Sequence, residues 1–139
     1  MDKVSRRLFL GTAGASIALA AAGRRARADG IEGQTAKDPN NMTKGEKKHV
    51  PKITVKPGEP VEVNVVVGEI VHPMEEEHYI TWIDVYFDGK KLSRTTLSPE
   101  AMAPCVSVKL TPGKSGMLTV VEECNLHGVW KNCVEIKAG

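Results

Sequence analysis

The sequence lacks three features: a hydrophobic run long enough to cross a membrane, an excess of basic residues beyond its first segment, and an internal repeat. The apolar run at residues 8–22 has 15 residues, whereas a membrane-spanning helix needs about 20. Residues 1–28 hold six of the 19 basic side chains and one of the 17 acidic ones, so the remaining chain carries about −3. That balance argues against a nucleic-acid-binding protein. No repeat of about 20 to 50 residues is visible, and nothing indicates a second domain.

The chain is also poor in aromatic side chains, at 4%, and has three cysteines. Its 139 residues allow one domain, and its 41% hydrophobic and 26% charged residues are ordinary for a globular protein. Valine, isoleucine and leucine recur in patterned runs between residues 50 and 136, which argues against disorder throughout. We therefore expect one domain whose core can fold without disulfides.

Residues 1–28 have the form of an export signal. A charged start precedes the apolar run, and Ala26-Arg27-Ala28 is an A-x-A cleavage pattern. The pair Arg6-Arg7 is similar to a twin-arginine signal, a class that exports folded proteins. The alternatives are a membrane anchor, for which the run is short, and an ordinary basic start. We expect a mature chain that begins near Asp29, lies in a periplasmic or other extracytoplasmic space, and keeps no membrane anchor after cleavage.

The mature chain divides into residues 29–48, a polar stretch that we predict to be an N-terminal arm or loop, and a β-rich domain at 49–139. Apolar residues alternate with period two in the domain, as in half-buried strands. The predicted strands are 50–56, 61–67, 79–87, 106–110, 118–121 and 129–136. Asp88-Gly89 predicts a hairpin turn, and the turn at 111–113 is expected to pair 106–110 with 118–121. Residues 98–102 predict one helical turn at most. About seven short strands indicate an all-β fold, an immunoglobulin-like antiparallel β-sandwich.

The four histidines are predicted to lie at strand ends or in loops, outside the apolar stripes of the core. His127 belongs to a Cys-x-x-His unit with Cys124, and a turn there lets thiolate and imidazole face one point. His72 and His78 flank a five-residue loop that could close around an ion, and His49 opens a predicted strand. Each signal is weak alone, because surface histidines are common and a Cys-x-x-His unit can be purely structural. Together, four imidazoles and one thiolate indicate a metal site.

The donor set narrows the choice of metal. Five donors exceed the four that structural zinc prefers. Blue copper sites use two histidines, one cysteine and a weak axial methionine, and residues 128–133 contain no methionine. Five nitrogen and sulfur donors with an open sixth position suit mononuclear non-haem iron. A cupredoxin-like copper protein stays as the alternative, as does an exported sulfur-compound carrier in which the histidines are incidental.

Three motifs, in order, resemble superoxide reductases of the neelaredoxin type, which belong to the desulfoferrodoxin family. They are Gly45-Glu46-Lys47-Lys48-His49-Val50-Pro51, His72-Pro73-Met74-Glu75-Glu76-Glu77-His78-Tyr79-Ile80 and Cys124-Asn125-Leu126-His127-Gly128-Val129-Trp130. The resemblance covers residues 44–137. It implies an immunoglobulin-like sandwich with one iron per chain, and four equatorial histidines and one axial cysteine as its ligands: His49, His72, His78, His127 and Cys124. The small cysteine-rich iron domain of related desulfoferrodoxins is not expected, because residues 29–48 contain no cysteine.

The resemblance also implies an activity and its partners. Superoxide would be reduced by one electron to hydrogen peroxide, and an external donor such as a rubredoxin-like protein would re-reduce the iron. Family members of this short type are commonly tetramers, so a homo-oligomer, tetramer or dimer, is expected. The acidic loop Glu75-Glu76-Glu77 is either a solvated surface or an aid to docking of a basic donor.

The same resemblance implies roles for two charged residues that precede His49, Lys48 and Glu46. Lys48 would attract superoxide toward the iron, although it can also be read as a solvated lysine in a basic run. The family pattern is Glu-Lys-His, whereas Glu46-Lys47-Lys48-His49 is one residue longer. The sixth iron position therefore falls either to Glu46, or to solvent with Lys47 in the place of the glutamate.

Three further residues have two interpretations each. Cys105 and Cys133 could form a disulfide in an oxidising compartment, or both could be small buried hydrophobes. Trp130 follows the Cys-x-x-His unit and could shield the metal site or simply fill the core.

Overall fold

Alternation of valine with polar residues builds the first sheet. In the computed structural model, which describes residues 30–138, the odd-numbered valines from Val61 to Val67 are at most 8% exposed, and the residues between them are half-buried. Such a strand has one face toward a core and one toward solvent. The seven strands are β1 (Pro51–Lys56), β2 (Val61–Val67), β3 (Ile80–Phe87), β4 (Lys90–Thr96), β5 (Cys105–Leu110), β6 (Gly116–Cys124) and β7 (Gly128–Ile136).

The strands form two antiparallel sheets, of order β1-β2-β5 and β4-β3-β6-β7. Both contribute fully buried side chains to one core, among them Val63, Val65, Ile80, Ile83, Val85, Leu118 and Val120. This arrangement confirms the predicted all-β sandwich of about seven strands. The Asp88-Gly89 turn between β3 and β4 is also confirmed, with φ of +51° and +81° at its two residues. Residues 98–102 form a turn closed by a backbone hydrogen bond from Met102 to Ser98, but it is not helical, because Glu100 has φ of +65°.

The predicted pairing of 106–110 with 118–121 is wrong. β5 pairs with β2, whereas β6 lies between β3 and β7 in the other sheet. Five residues, 111–115, separate the two strands, and this connection crosses from one sheet to the other. A link of that length does not force a tight hairpin.

The predicted loop at 44–48 and the predicted strand start at His49 are also wrong, because Lys44–His49 is a helix, α1. Thr43 and Glu46 form a capping box: the Thr43 side chain accepts from the Glu46 backbone, and the Glu46 carboxylate accepts from the Thr43 backbone. Lys47 and Lys48 lie in the last turn, where their positive charges suit the helix dipole. Pro51 then begins β1, so the helix cannot continue.

Cys105 and Cys133 do not form the disulfide that was considered for them. Cys105 is exposed at the start of β5, whereas Cys133 is fully buried on β7, in the other sheet, against Met117. The sheet arrangement therefore holds the two thiols in different environments, and only Cys133 is the small buried hydrophobe of the second interpretation.

The export signal predicted at 1–28, with its Arg6-Arg7 pair, and the start near Asp29 lie outside the described residues. Among residues 30–138, no helix is long and apolar enough to cross a membrane.

Candidate metal centre

The topology brings five predicted ligands to one end of the sandwich. β2 ends at Val67, whose carbonyl accepts from the His72 backbone; β3 begins two residues after His78, and β6 ends at Cys124. Since β3 and β6 are antiparallel neighbours, Ile80 lies opposite Cys124, and Cys124 lies opposite Gly128, next to His127. The fifth residue, His49, is the last of α1. The helix reaches this end because the Ile70 backbone donates to the Lys47 carbonyl, 3.1 Å away.

Four of these side chains converge. One donor atom from each of His49, His72, His78 and Cys124 lies within 4.8 Å of the others. The Nε2 atoms of the three histidines are buried, and none has a hydrogen-bond partner among residues 30–138. Buried polar atoms left unpaired cost free energy, so they normally have a partner. A metal ion would bind all three nitrogen lone pairs together with the sulfur, and this donor set therefore fits a metal ion.

In His49 and His72, a hydrogen bond at Nδ1 fixes the tautomer whose Nε2 can bind a metal. Nδ1 of His49 lies 2.8 Å from the Gly45 carbonyl, and Nδ1 of His72 lies 2.7 Å from the Pro73 carbonyl. An Nδ1–H donated to a carbonyl leaves the lone pair on Nε2. Burial lowers the pKa of His49, and it lowers the pKa of His72 to about 4. Both rings are therefore neutral near pH 7, as ligands must be.

His127 completes a square of four imidazoles. Neighbouring ring centroids are 4.8 Å apart for His49 and His72, 4.5 Å for His72 and His78, 5.1 Å for His78 and His127, and 4.8 Å for His127 and His49. His49 and His78 are 6.4 Å apart, close to the diagonal of such a square. Neighbouring rings lie at 67° to 79° to one another. This geometry is that of four rings arranged around one centre.

Cys124 and His127 face each other across the turn that joins β6 to β7. The Cys124 sulfur lies 3.6 Å from Nδ1 of His127. Burial raises the pKa of the Cys124 thiol, while hydrogen bonds from the backbone N–H groups of Leu126 and His127 act in the opposite direction. Those N–H groups would stabilise a thiolate once a cation displaced the proton.

Trp130 packs beside the site, in agreement with the first of its two interpretations. Its ring stacks on His49 at 5.2 Å and 22°, and its Nε1 donates to the His127 carbonyl at 3.2 Å. One side chain thus contacts two of the predicted ligands, on two distant parts of the chain.

Glu46 is placed differently from the predicted sixth ligand. It is 7% exposed, and its Oε1 and Oε2 accept from the backbone N–H groups of Thr43, at 2.9 Å, and Lys37, at 3.2 Å. These bonds hold its pKa below the ordinary value. Both carboxylate oxygens therefore serve the start of the helix, and the carboxylate does not belong to the group of converging donor atoms. Glu46 as a sixth iron ligand therefore stays a prediction, which would require its carboxylate to leave these two N–H groups.

Lys47 and Lys48 lie in the last turn of the helix, and both are half-buried. The positive charge of Lys48 is close enough to help lower the pKa of His49, although burial is the main cause. Lys48 thus lies near the centre, as its predicted role requires.

Two residues that position the site were missed at the level of sequence. Gly68 has φ of +91°, and a Cβ there would lie 2.6 Å from the Lys48 carbonyl oxygen and 2.7 Å from that of Lys47. Only glycine lets the chain after β2 approach the end of α1 so closely. Gln34 contacts the turn that carries His127. A glycine directly after a valine-rich strand could have indicated a close approach of the backbone at Gly68. Nothing in the sequence around Gln34 indicates its contact with the His127 turn.

Comparison with known proteins identifies related chains. The family model described as Desulfoferrodoxin matches residues 41–133. The superoxide reductase of Pyrococcus abyssi is 38% identical over 105 residues, which are 68% of this chain and 90% of that protein. The putative superoxide reductase of Methanocaldococcus jannaschii is 38% identical over 108 residues, 70% of this chain and 91% of that one.

Solved structures give the same result. A point variant of the superoxide reductase (neelaredoxin) from Ignicoccus hospitalis is 36% identical, with a TM-score of 0.63, and the match covers 76% of this chain and 94% of that one. The neelaredoxin from Archaeoglobus fulgidus in the reduced form is 31% identical, with a TM-score of 0.62 and coverage of 75% and 97%. These similarities give no support to the copper alternative.

Proposed function

We propose, on the premise that this chain belongs to the desulfoferrodoxin family, that it is a superoxide reductase with one mononuclear iron. The ligands are Nε2 of His49, His72 and His78, Nδ1 of His127, and the sulfur of Cys124. The observation that carries this proposal is the convergence of three unpartnered, buried Nε2 atoms on the Cys124 sulfur. Iron bound there would supply the electron for superoxide and an open coordination position.

The reaction is a one-electron reduction: superoxide gains one electron and two protons and leaves as hydrogen peroxide. The electron is then replaced by an external redox donor. Four neutral imidazoles and one thiolate leave ferrous iron with a net charge of about +1, which favours approach of an anion. Once a cation displaced the thiol proton, the Cys124 thiolate would be stabilised by two backbone N–H groups and could donate to the iron. His127 is exposed at the rim, so solvent can deliver protons on that side.

Lys48 adds a positive charge next to the ligand His49. Lys48 is half-buried, and its charge is close enough to act on His49, so part of its field is felt at the centre. We assign it to steering superoxide toward the site. With Glu46 hydrogen-bonded at the helix start, an iron bound here would have its sixth position open to solvent and substrate.

The first experiment is metal analysis of the mature protein, followed by a superoxide-consumption assay with an added reductant. We expect one iron per chain, and hydrogen peroxide formed in a one-to-one ratio with the superoxide consumed. Copper in place of iron would contradict the proposal, as would an intact fold that binds no metal. A peroxide yield of one per two superoxide ions would identify a dismutase instead.

The partners and location form a second part of the proposal. Residues 1–28 would export the folded protein to the periplasm, where a redox protein supplies electrons to a homo-oligomer, a tetramer or a dimer. The Arg6-Arg7 pair and the Ala26-Arg27-Ala28 pattern support the export route. Replacing both arginines with lysine should retain the protein in the cytoplasm, as measured by cell fractionation. Unchanged export would overturn the twin-arginine assignment.

A further inference from the structure

The N-terminal arm is bonded to the segment that carries His127. Gln34 pairs with Trp130 in a parallel bridge: its backbone N–H donates to the Val129 carbonyl at 2.9 Å, and its carbonyl accepts from the Lys131 backbone at 2.9 Å. The Lys131 ammonium also donates to the Ile31 carbonyl. The arm therefore continues the sheet beyond β7 and covers the edge of that strand.

The side chain of Gln34 reaches farther, to the ligand turn itself. Its Nε2 lies 3.0 Å from the His127 carbonyl oxygen and 3.3 Å from the Val129 carbonyl oxygen. The His127 carbonyl also accepts from Nε1 of Trp130. A Cβ at Gly128, whose φ is +86°, would lie 3.3 Å from the Gln34 amide nitrogen. Two donors thus hold the peptide bond that follows His127, and the turn approaches the arm closely.

His127 needs such support more than His49 and His72 do. His49 and His72 are buried, and a hydrogen bond from Nδ1 to a carbonyl orients each ring. His127 is exposed, and its Nδ1 faces the Cys124 sulfur, so that nitrogen cannot anchor the ring to a carbonyl. Since Nδ1 does not anchor the ring to a carbonyl, the placement of His127 depends on its backbone as well as on contacts with the His49 and His78 rings.

We infer that Gln34 is a positioning residue for the metal centre, which holds the His127 ligand in place through the carbonyl that it shares with Trp130. The inference rests on the proposed function, since it treats His127 as an iron ligand. Supporting residues behind metal ligands typically change metal affinity by about 10- to 100-fold when mutated. Because the Gln34 amide is exposed, we expect an effect near the lower end of that range.

The test uses Gln34→Glu in the mature protein, which keeps the side chain's length and leaves the backbone bridge intact. The variant loses the N–H donor and sets a carboxylate against two carbonyl oxygens. We expect a chelator to remove iron about 10-fold faster than from the wild type, with a shifted visible absorption spectrum of the ferric protein. Asn41→Asp is the matched control, because it makes the same amide-to-acid change at an exposed arm residue. It should leave both readouts unchanged.

Gln34→Asn provides a second variant should Gln34→Glu fail to fold, since the shorter amide stays neutral but cannot reach both carbonyls. Trp130→Phe removes the other donor while keeping an aromatic ring on His49. If both donors act on one carbonyl, the double variant should differ from the sum of the single effects.

Two outcomes would overturn the inference. One is iron release and spectra equal to the wild type in both Gln34 variants. The other is a lower melting temperature of the metal-free variants without faster iron release, which would make Gln34 a stabilising residue only. Failure of the wild type to bind iron would instead contradict the proposed function, so the two failures are distinguishable.

Discussion

The body of the sandwich and its ligand-bearing end differ in how their interiors are completed. In the body, side chains of the two sheets fill the core, and Val63, Ile83 and Leu118 have no measurable exposure. At the ligand end, three buried imidazole nitrogens have no partner in the described part of the chain. Unpartnered buried oxygens also occur in the body, at Thr119 and Glu122 of β6, but only at the ligand end do such atoms converge with a sulfur on one point, as a metal ion requires. Stability should depend on the first region and chemistry on the second.

The substitution Cys124→Ser should distinguish the two regions most clearly, and we expect the largest effect from it. A hydroxyl does not replace the thiolate as a soft donor, so the thiolate-to-iron charge-transfer absorption should vanish and activity should fall at least ~100-fold. Cys105→Ser, the same change at an exposed cysteine of β5, is the control and should match the wild type. Visible absorption and superoxide consumption are the measurements. Retained absorption in Cys124→Ser would refute the ligand assignment.

A core substitution should show the reverse pattern. Ile83→Ala removes a fully buried side chain from β3, which should lower the free energy of unfolding by about 2–5 kcal/mol in denaturant titrations. Iron content per folded chain should stay at the wild-type value. Leu92→Ala, at a side chain that is 47% exposed on β4, should cost far less. If Ile83→Ala also released iron from folded protein, the two regions would not be independent.

The pH dependence of the stability of the metal-free protein tests how much the buried, neutral His72 lowers the free energy of unfolding. Burial keeps His72 neutral in the folded chain down to about pH 4, whereas the unfolded imidazole has a pKa of 6.5. Between these values the unfolded chain binds more protons, so stability is lost as the pH falls, by up to ~1.4 kcal/mol per pH unit. Denaturant unfolding between about pH 4 and 7 measures this loss.

His72→Gln is the comparison for that experiment, since glutamine does not titrate. The difference between the two stability curves should change across this range, while contributions shared by both proteins cancel. One such contribution is Glu122, whose pKa burial raises to about 9. Parallel curves for wild type and His72→Gln would show that His72 does not keep the lowered pKa.

The smallest expected effect belongs to Lys48→Ala. Loss of one steering charge should slow superoxide capture by up to about 10-fold at low salt and weaken its salt dependence. Iron content should not change, because Lys48 supplies no ligand atom. Lys52→Ala, at an exposed lysine of β1, is the matched control. Pulse radiolysis at several ionic strengths gives the rate, and identical salt dependence in wild type and Lys48→Ala would contradict the steering role.

The same contrast explains how far the sequence could predict the structure. Valine alternation in β2 and the Asp88-Gly89 turn are local patterns, and they predicted the sandwich. The separation of β5 from β6 was not predictable from the turn at 111–113, because a five-residue link is compatible with either sheet. The residues of the centre could be named from three motifs, but their convergence depends on strand order.

Near the metal centre, the sequence analysis missed two structural features. One had a local sequence pattern that was overlooked, and the other had none. Thr43-x-x-Glu46 is a capping-box pattern that could have indicated α1 and the capping role of Glu46. Gln34 gives no such signal, because its partner carbonyls at His127 and Val129 lie 93 and 95 residues away. Contacts of that range are visible only in three dimensions.

The docking of α1 at both ends has a consequence for the spacing of its motif. The capping box at Thr43 and Glu46 fixes one end, and the close approach of Gly68 fixes the other. Because each residue of an α-helix turns the chain by roughly 100°, removing Lys47 would swing the His49 imidazole about a quarter of a revolution around the axis. Because the start of the helix is anchored, the number of residues between Glu46 and His49 determines the direction in which the imidazole points. The additional lysine therefore sets the rotational position of His49 around the helix axis.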